Sequence, residues 1–359
     1  CHLYIQGMIG NEIVLISVLF MDFHMTAQLV PVTRVAFLLR YAGLVRHMGA
    51  PVDSLLAAAG IPDELFEHPA AAVCLQSAYK FGELACKAAG TEHLGLYIGM
   101  STSLEDLGPI GEHLKRSTTV YDYLRRGIGL YNMLISGQRI WLSDHGEEVR
   151  LNVATMGEPG LGPYQSQLET LSVTVMALRR ALGPYWSPGT IGLTYQAKEV
   201  FPDDSCFEGS FFIAGAPTSY MAIPRSALGE RFPYCRRPQK RLPECIETHR
   251  FTNDLSDLVQ LQIEALLCDE NLHIDTVAES LSTSRRSLQR ALAAQGTSYS
   301  ELLADTRIHE ALDRLQFSEE AIADIAFDLG YTDASNFTRA FRLRNGVSPQ
   351  QFRQNLSAE

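Results

Sequence analysis

Two short segments near the C-terminal end of the chain carry side chains that can recognise DNA bases. They contain, in order, Arg285, Arg286, Gln289, Arg290, Ser335, Asn336, Thr338, Arg339 and Arg342. A guanidinium group can donate paired hydrogen bonds to guanine O6 and N7, and a carboxamide can pair with adenine N6 and N7. A good bidentate contact contributes roughly 1–3 kcal/mol of base discrimination. The chemistry these residues offer is therefore recognition of base edges.

The first of these segments, residues 275–296, has the apolar spacing of two short helices. Val277 and Leu281 lie on one face of the leading helix, and Leu288 and Leu292 lie on one face of the following helix. These two faces can pack together only if the chain turns sharply between the helices. The pattern predicts a helix-turn-helix module, whose second helix enters the major groove of duplex DNA.

Local signals predict where this recognition helix begins and ends. Ser284 is placed to accept an unpaired backbone N–H as the N-cap, and Gly296 is placed to end the helix in a left-handed conformation. The recognition helix then covers about 284–295, and its polar side chains occupy an arc of roughly 140° opposite Leu288.

The second segment, residues 323–346, repeats the pattern independently. Leu329 packs the leading helix, Phe337 packs the second helix, and Asp333 is the expected N-cap. The second recognition helix covers about 334–345. A single amphipathic helix pair with a basic face is more often ordinary solvated surface, but two such pairs in tandem favour DNA binding.

The segment between the two modules predicts one long helix over residues 299–317, with Leu303, Ala311 and Leu315 on its inner side. At 1.5 Å per residue, such a helix spans roughly 28 Å. It can therefore hold the two recognition helices about one DNA turn apart, near 34 Å, in successive major grooves.

Residues 253–354 resemble the DNA-binding domain of the AraC/XylS regulators, most closely from Ile322 to Arg353. The resemblance implies that Arg307, on the linking helix, is structural and does not contact DNA. It also implies which side chains face the bases, namely Arg286, Gln289, Arg290, Ser335, Thr338 and Arg339.

The charge of the chain is unusual for a DNA-binding protein. The net charge is −11, and residues 249–359 hold ten Lys and Arg against seventeen Asp and Glu, a net −7. Phosphate neutralisation drives non-specific affinity. We therefore expect weak non-specific binding and strong dependence on sequence-specific contacts and on dimerisation.

The first two-thirds of the chain predict an α+β domain. The expected elements are helices within 32–99, 118–135 and 164–182, a β-hairpin at 138–156, and strands near 190–195, 210–213 and 219–222. Residues 31–233 resemble, around Leu94–Asn132, the N-terminal effector-binding domain of one AraC-type subfamily. The resemblance implies a small-molecule effector of unknown identity and a homodimer.

Four side chains are candidates for an effector pocket: Tyr131, Arg139, Trp141 and Tyr164. The competing interpretation is that the aromatic residues are ordinary core and that the arginine is surface. The sequence therefore assigns no effector-binding residue.

The predicted fold is an α+β N-terminal sensor domain followed by an all-α domain with two helix-turn-helix modules joined by a long helix. The expected boundaries are a disordered or non-native extension at 1–24, an effector-binding and dimerisation domain at 25–232, a linker at 233–248, and the DNA-binding domain at 249–359. The linker follows from three prolines and several basic residues between 233 and 245. The extension follows from its short apolar run and from Met25 as a candidate start.

Enzymatic function is disfavoured, because the sequence contains no nucleophile elbow, P-loop, HExxH motif or complete GxGxxG motif. Seven scattered cysteines form no disulfide or zinc pattern, so no cofactor or metal is expected. The same spacing disfavours a DNA alkylation-repair methyltransferase, an enzyme class that shares this DNA-binding module.

The sequence thus predicts a sequence-specific transcription regulator, an effector-responsive activator that binds double-stranded promoter DNA. RNA polymerase is the expected protein partner, and the expected location is the cytoplasm at the nucleoid, away from membranes. The main alternative is an effector-independent regulator that is controlled by partners or by abundance.

Overall fold

The computed structural model describes residues 31–233, 254–267, 272–318 and 320–356. The expected extension at 1–24 and all but the first residue of the expected linker lie outside the described residues.

The N-terminal domain combines helices with a small and a larger sheet. In chain order its elements are β1 (Val32–Arg34), α1 (Val35–His47), α2 (Val52–Ala59), β2 (Ala72–Cys74), α3 (Leu75–Ala89), α4 (Leu94–Ser101), α5 (Gly108–Leu114), α6 (Val120–Leu134), β3 (Gln138–His145), β4 (Glu148–Thr155), α7 (Leu161–Leu182), β5 (Thr190–Leu193), β6 (Phe211–Ala214) and β7 (Ser219–Pro224). The predicted α+β class is confirmed.

The larger sheet has the strand order β3-β4-β7-β5-β6. Its neighbours are antiparallel except for β5 and β6, which run parallel. The predicted hairpin is β3–β4, in which Trp141 pairs with Asn152. Helix α7 supplies Leu168, Leu171 and Val175 to the core between helix and sheet, and all three are fully buried.

The smaller sheet was not predicted from the sequence. It pairs β1 with β2 antiparallel, with Val32 opposite Cys74. Each strand has three residues, and all of them are buried. Strands this short and buried on both faces give no alternating pattern.

The C-terminal domain is all-helical, as predicted. Its elements are α8 (Leu255–Leu266), α9 (Ile274–Ser280), α10 (Arg285–Ala294), α11 (Tyr299–Phe317), α12 (Ile322–Asp328), α13 (Ala334–Asn345) and α14 (Pro349–Leu356). The long linking helix α11 covers the predicted residues, and it buries Ala311 and Leu315 while Leu303 is half-buried.

The two domains share a packed junction. Val32 and Ala72 of the small sheet belong to the same buried cluster as Val277 and Leu288 of the first module. In return, Leu266 at the end of α8 packs into a core cluster of the N-terminal domain. The small sheet therefore lies where the N-terminal domain meets the C-terminal domain.

Candidate nucleic-acid interface

The first helix-turn-helix is formed by α9 and α10. The side chains of Val277, Leu281, Leu288 and Leu292 are buried between the helices, as their spacing predicts. The turn passes through Ser282, which has a positive φ of 51°. Left-handed backbone is unfavourable for a residue with a Cβ, so this turn carries local strain.

The N-cap of the first recognition helix is as predicted. The Ser284 hydroxyl accepts a hydrogen bond from the backbone N–H of Ser287 at 3.2 Å. This contact satisfies one of the unpaired donors at the start of α10. The backbone of Gly296 has a positive φ of 78° just after the helix, as expected for a helix stop.

The predicted base-contacting residues of α10 differ in their availability. The side chains of Arg286, Gln289 and Arg290 are exposed and make no hydrogen bond or ion pair with any residue that the structure describes. Arg285 is exposed too, but its Nη1 lies 3.2 Å from Oδ2 of Asp275. Arg285 is therefore held by an acid of the leading helix, a pairing that linear spacing did not indicate.

The second helix-turn-helix is formed by α12 and α13 around an aromatic core. Phe337 and Phe341 are fully buried, with ring centroids 5.8 Å apart. Tyr331 and Phe352 extend the cluster, at 5.3 Å from Phe337 and 5.8 Å from Phe341 respectively. The Asp333 carboxylate caps α13 by accepting the backbone N–H of the third helical residue at 2.7 Å.

The polar face of α13 also divides into available and engaged side chains. Ser335, Arg339 and Arg342 are exposed and have no polar side-chain partner within the described ranges. The Asn336 carboxamide donates to Asp333 Oδ2 at 2.6 Å, which makes it part of the cap. The Thr338 hydroxyl donates to the backbone carbonyl of Ala334 at 2.8 Å and is half-buried.

Charged side chains of the linking helix α11 contact α12, α13 and Tyr331 of the second module. The Arg307 guanidinium lies 5.2 Å from the centre of the Tyr331 ring, a cation–π contact that supports its structural role. Arg344 Nε donates to Asp305 Oδ1 at 2.5 Å. Arg314 bonds Glu320 and lies 2.7 Å from Asp328 Oδ2. The hydrogen bond from Arg314 holds the pKa of the Glu320 carboxyl below its usual value.

Two direct contacts connect the C-terminal domain, at and next to the first module, to the N-terminal domain. The buried carboxamide of Gln262 on α8 accepts the backbone N–H of Ala72 at 2.6 Å and donates to its carbonyl at 2.8 Å. The hydroxyl of Ser282, in the strained turn, lies 3.0 Å from the hydroxyl of Ser77 on α3. Neither contact is predictable from the sequence pattern, because the partners are more than 180 residues apart.

The four effector-pocket candidates do not converge. Tyr131 lines a partly open cavity of the N-terminal domain. Tyr164 is buried elsewhere and is hydrogen-bonded to His93 Nδ1 at 3.1 Å. Arg139 is exposed, and Trp141 is half-buried on β3.

The polar residues that line this cavity with Tyr131 were not predicted from the sequence, among them Arg40, Tyr41, Tyr79 and Glu169. The available signal was an acidic residue, Glu169, flanked in the sequence by the buried Leu168 and Thr170 of α7.

Comparison with known proteins identifies the two domains. Residues 49–230, about half of the chain, match the arabinose-binding domain of AraC transcription regulators. Residues 277–355 match a helix-turn-helix domain, and such domains bind double-stranded DNA. The chain belongs to the AraC family of transcription regulators. The predicted family is thereby confirmed.

Relatives of this regulator extend over most of its length. It is 25% identical over 343 residues to the ornithine utilization regulator of Pseudomonas aeruginosa. The alignment covers 92% of this chain and 97% of that protein. It is 24% identical over 322 residues to the regulator VirS of Mycobacterium tuberculosis. That alignment covers 87% of this chain and 94% of VirS. A solved structure of the regulator CdpR from Pseudomonas aeruginosa is 21% identical over 85% of this chain and 96% of that chain, with a TM-score of 0.38.

Two further features describe the regulator as a whole. Among the helices of the described ranges, none combines the length and apolar character needed to cross a bilayer. Cys74, Cys86 and Cys206 are buried free thiols, and burial raises the pKa of Cys86 and of Cys206 to about 12. The thiols of Cys86 and Cys206 are therefore protonated at neutral pH.

Proposed function

We propose that this regulator reads two successive major grooves with α10 and α13, and that a small-molecule effector in the N-terminal domain controls it as an activator. The observation that carries the proposal is the arrangement of five side chains. Arg286, Gln289, Arg290, Arg339 and Arg342 project from helices whose opposite faces are buried, and no described residue pairs with them.

Base recognition in this proposal is divided unequally among the nine predicted residues. The five unpaired side chains and Ser335 can contact DNA without breaking a hydrogen bond or ion pair to a described residue. Arg285, Asn336 and Thr338 must first leave the partners described above. We assign the main base contacts to the first group and supporting contacts to the second.

Control by an effector is supported by the packed junction. The contacts of Gln262 with Ala72 and of Ser282 with Ser77 join the sensor domain to the first module. A conformational change in the small sheet therefore alters the free energy of the first helix-turn-helix module. Such a coupling is what linkage between an effector site and a DNA-binding site requires. The similarity to a regulator of ornithine utilization also supports a small-molecule effector.

The remaining features of the proposal follow from this role. The domain boundaries are those expected from the sequence, with a linker at 233–248 between sensor and DNA-binding domains. The regulator acts in the cytoplasm as a homodimer, contacts RNA polymerase at the promoter, and performs no catalysis.

The proposal is tested by selecting DNA from a random pool with the full-length protein and footprinting the selected sequence. For each bound protomer, two protected segments one helical turn apart, roughly 10 base pairs, are expected on one face of the duplex. Arg290→Ala should remove base preference in one segment, and Arg339→Ala should remove it in the other. Arg46→Ala, an exposed substitution on α1, is the matched control. A single protected segment, or a selected consensus unchanged in both variants, contradicts the proposal.

A further inference from the structure

A cavity of about 160 Å³, partly open to solvent, lies in the N-terminal domain between α1, α3, α6 and α7. Most of its wall is apolar and includes Phe37, Leu38, Leu75 and Ile128. An apolar cavity of about 150 Å³ accepts benzene, so this one has room for a ligand of roughly six to ten non-hydrogen atoms.

The cavity wall carries a poorly compensated carboxylate. Glu169 Oε1 lies 3.5 Å from Arg40 Nη1, a long contact for an ion pair, and Arg40 also donates to the Thr102 hydroxyl at 3.3 Å. The Glu169 side chain is 12% exposed and the Arg40 side chain 25%, so the acid lies deeper than the base. Burial raises the pKa of Glu169 to about 7, against the opposing effect of Arg40. The carboxylate therefore lacks the compensation that water or a closer cation would give it.

Three tyrosines share the same wall. The Tyr131 hydroxyl is hydrogen-bonded to Thr170 Oγ1 at 2.9 Å. The Tyr79 hydroxyl is buried without a hydrogen-bond partner among the described residues. The Tyr41 hydroxyl lies close to Glu169, although the geometry does not reach that of a hydrogen bond. Burial raises the pKa of all three phenols, which keeps them neutral and able to accept a hydrogen bond.

These residues match one chemical class of ligand. Building on the effector control proposed above, we propose that this cavity is the effector site and that the effector is a small primary amine with an apolar or aromatic body. Its ammonium group donates to the carboxylate of Glu169 and to the hydroxyls of Tyr41 and Tyr79, and it lies near aromatic rings that attract a cation. The apolar body fills the space beside Phe37 and Leu75. A carboxylic acid is disfavoured, because the buried carboxylate of Glu169 on the cavity wall would repel its charge.

The position of the cavity connects it to DNA binding. Thr33, in β1, and Leu75, directly after β2, both line it. The same strands form the small sheet whose Ala72 is held by Gln262 of α8. A ligand in the cavity therefore contacts the element that the DNA-binding domain packs against.

The test is calorimetric titration of the full-length protein with phenethylamine and hexylamine, alongside hydrocinnamate and phenethyl alcohol as acidic and neutral analogues. We expect saturable binding of at least one amine and a higher melting temperature in its presence. Glu169→Gln should weaken amine binding about tenfold or more, because a charge-assisted hydrogen bond is lost. Tyr79→Phe should weaken it several-fold by removing one acceptor.

Matched controls lie outside the cavity. Glu83→Gln changes an exposed glutamate that pairs with Lys87 on α3, and Tyr97→Phe changes an exposed tyrosine. Both should bind the amine as the wild type does. The inference is overturned if neither amine binds, if hydrocinnamate binds in their place, or if Glu169→Gln binds amines with unchanged affinity while melting like the wild type.

The outcome is separable from that of the proposed function. A protein that binds amines but selects no DNA sequence retains the cavity assignment and loses the two-groove proposal. A protein that selects DNA but binds no amine retains the two-groove proposal and loses the cavity assignment.

Discussion

Gln262 and Ala72 are joined by a complementary pair of hydrogen bonds across the domain junction, at 2.6 and 2.8 Å. Both residues are fully buried. The carboxamide thereby completes the backbone pairing of a three-residue strand, β2, in the way that a neighbouring strand would. The DNA-binding domain supplies a hydrogen-bonding partner to the sensor domain.

Replacing Gln262 with Met should uncouple the unfolding of the two domains. The substitution keeps the side-chain length but leaves the N–H and C=O of Ala72 buried without partners, which costs about 1–3 kcal/mol for each group. Scanning calorimetry should show a lower melting temperature and two resolved transitions in place of coupled unfolding. Gln260→Met, on the same helix and bonded to Glu264, is the control. A thermogram that matches the wild type would refute this role for the junction.

Arg285 and Arg290 should contribute unequally to operator binding. Arg290→Ala should weaken specific binding by about 1–3 kcal/mol, because its guanidinium is available for a bidentate base contact. Arg285→Ala should weaken it by less than about 1 kcal/mol, because this guanidinium already pairs with Asp275. Gel-shift titration at one fixed salt concentration measures both. Equal losses would show that the ion pair opens on DNA without penalty.

The N-caps of the two recognition helices should each stabilise the domain measurably. Ser284→Ala and Asp333→Ala should each cost about 1 kcal/mol, and Asp333→Ala should cost more because Asp333 also holds the Asn336 carboxamide. Urea unfolding followed by circular dichroism measures the loss. Asp333→Ser should restore most of the stability, and Ser300→Ala, exposed on α11, should change little. Unaltered unfolding midpoints in the two alanine variants would disprove the assignment.

Gly330→Ala should destabilise the protein more than Gly296→Ala. Both glycines have a positive φ, 77° and 78°, so alanine is strained at either position by about 1–2 kcal/mol. At Gly296 the added Cβ meets open space, whereas at Gly330 it collides with the guanidinium of Arg307. That collision displaces Arg307 from the Tyr331 ring, an additional loss of about 0.5–1 kcal/mol. Thermal melting of the two variants in parallel is the measurement, and the reverse order would contradict the assigned role of Arg307.

Glu169 should make stability depend on pH in a defined direction. Its pKa is raised by burial from 4.5 to about 7, so the folded protein binds this proton more tightly than the unfolded chain does. Its contribution to the free energy of unfolding is full below pH 4.5 and is lost as the pH rises through about 7. The contribution amounts to at most about 3 kcal/mol. The charged and titratable groups facing it are Arg40, Tyr41 and Tyr131.

Glu169→Gln should therefore gain melting temperature relative to the wild type as the pH rises from about 5 to about 8. Glu83→Gln, whose carboxylate is exposed, should follow the wild type across this range. A constant difference between Glu169→Gln and the wild type would show that this carboxyl has an ordinary pKa.

The elements that carry DNA recognition were predictable because their signals are local. Helical spacing, a cap and a stop lie within a dozen residues of one another, so Ser284, Asp333 and Gly296 could each be placed from the sequence. The long helix α11 was predicted for the same reason. Its solvent-facing pairs with distant residues, such as Arg344 with Asp305, were not predictable.

The remaining features depend on contacts between distant segments. The strands β1 and β2 are too short to show a period, and they exist because each pairs with the other. The cavity is lined from helices separated by more than a hundred residues, so Glu169 and Arg40 could not be related by spacing. The engagement of Arg285 by Asp275 is closer in sequence, but it depends on the angle between two helices.

Ser282 occupies a left-handed turn that glycine would adopt without strain, yet its hydroxyl is the group that meets Ser77. A glycine here would relax the turn and cut the link to the sensor in one step. The lowest-energy backbone and the contact between the domains therefore favour different residues at this position. Serine retains the interdomain hydrogen bond and leaves the turn strained.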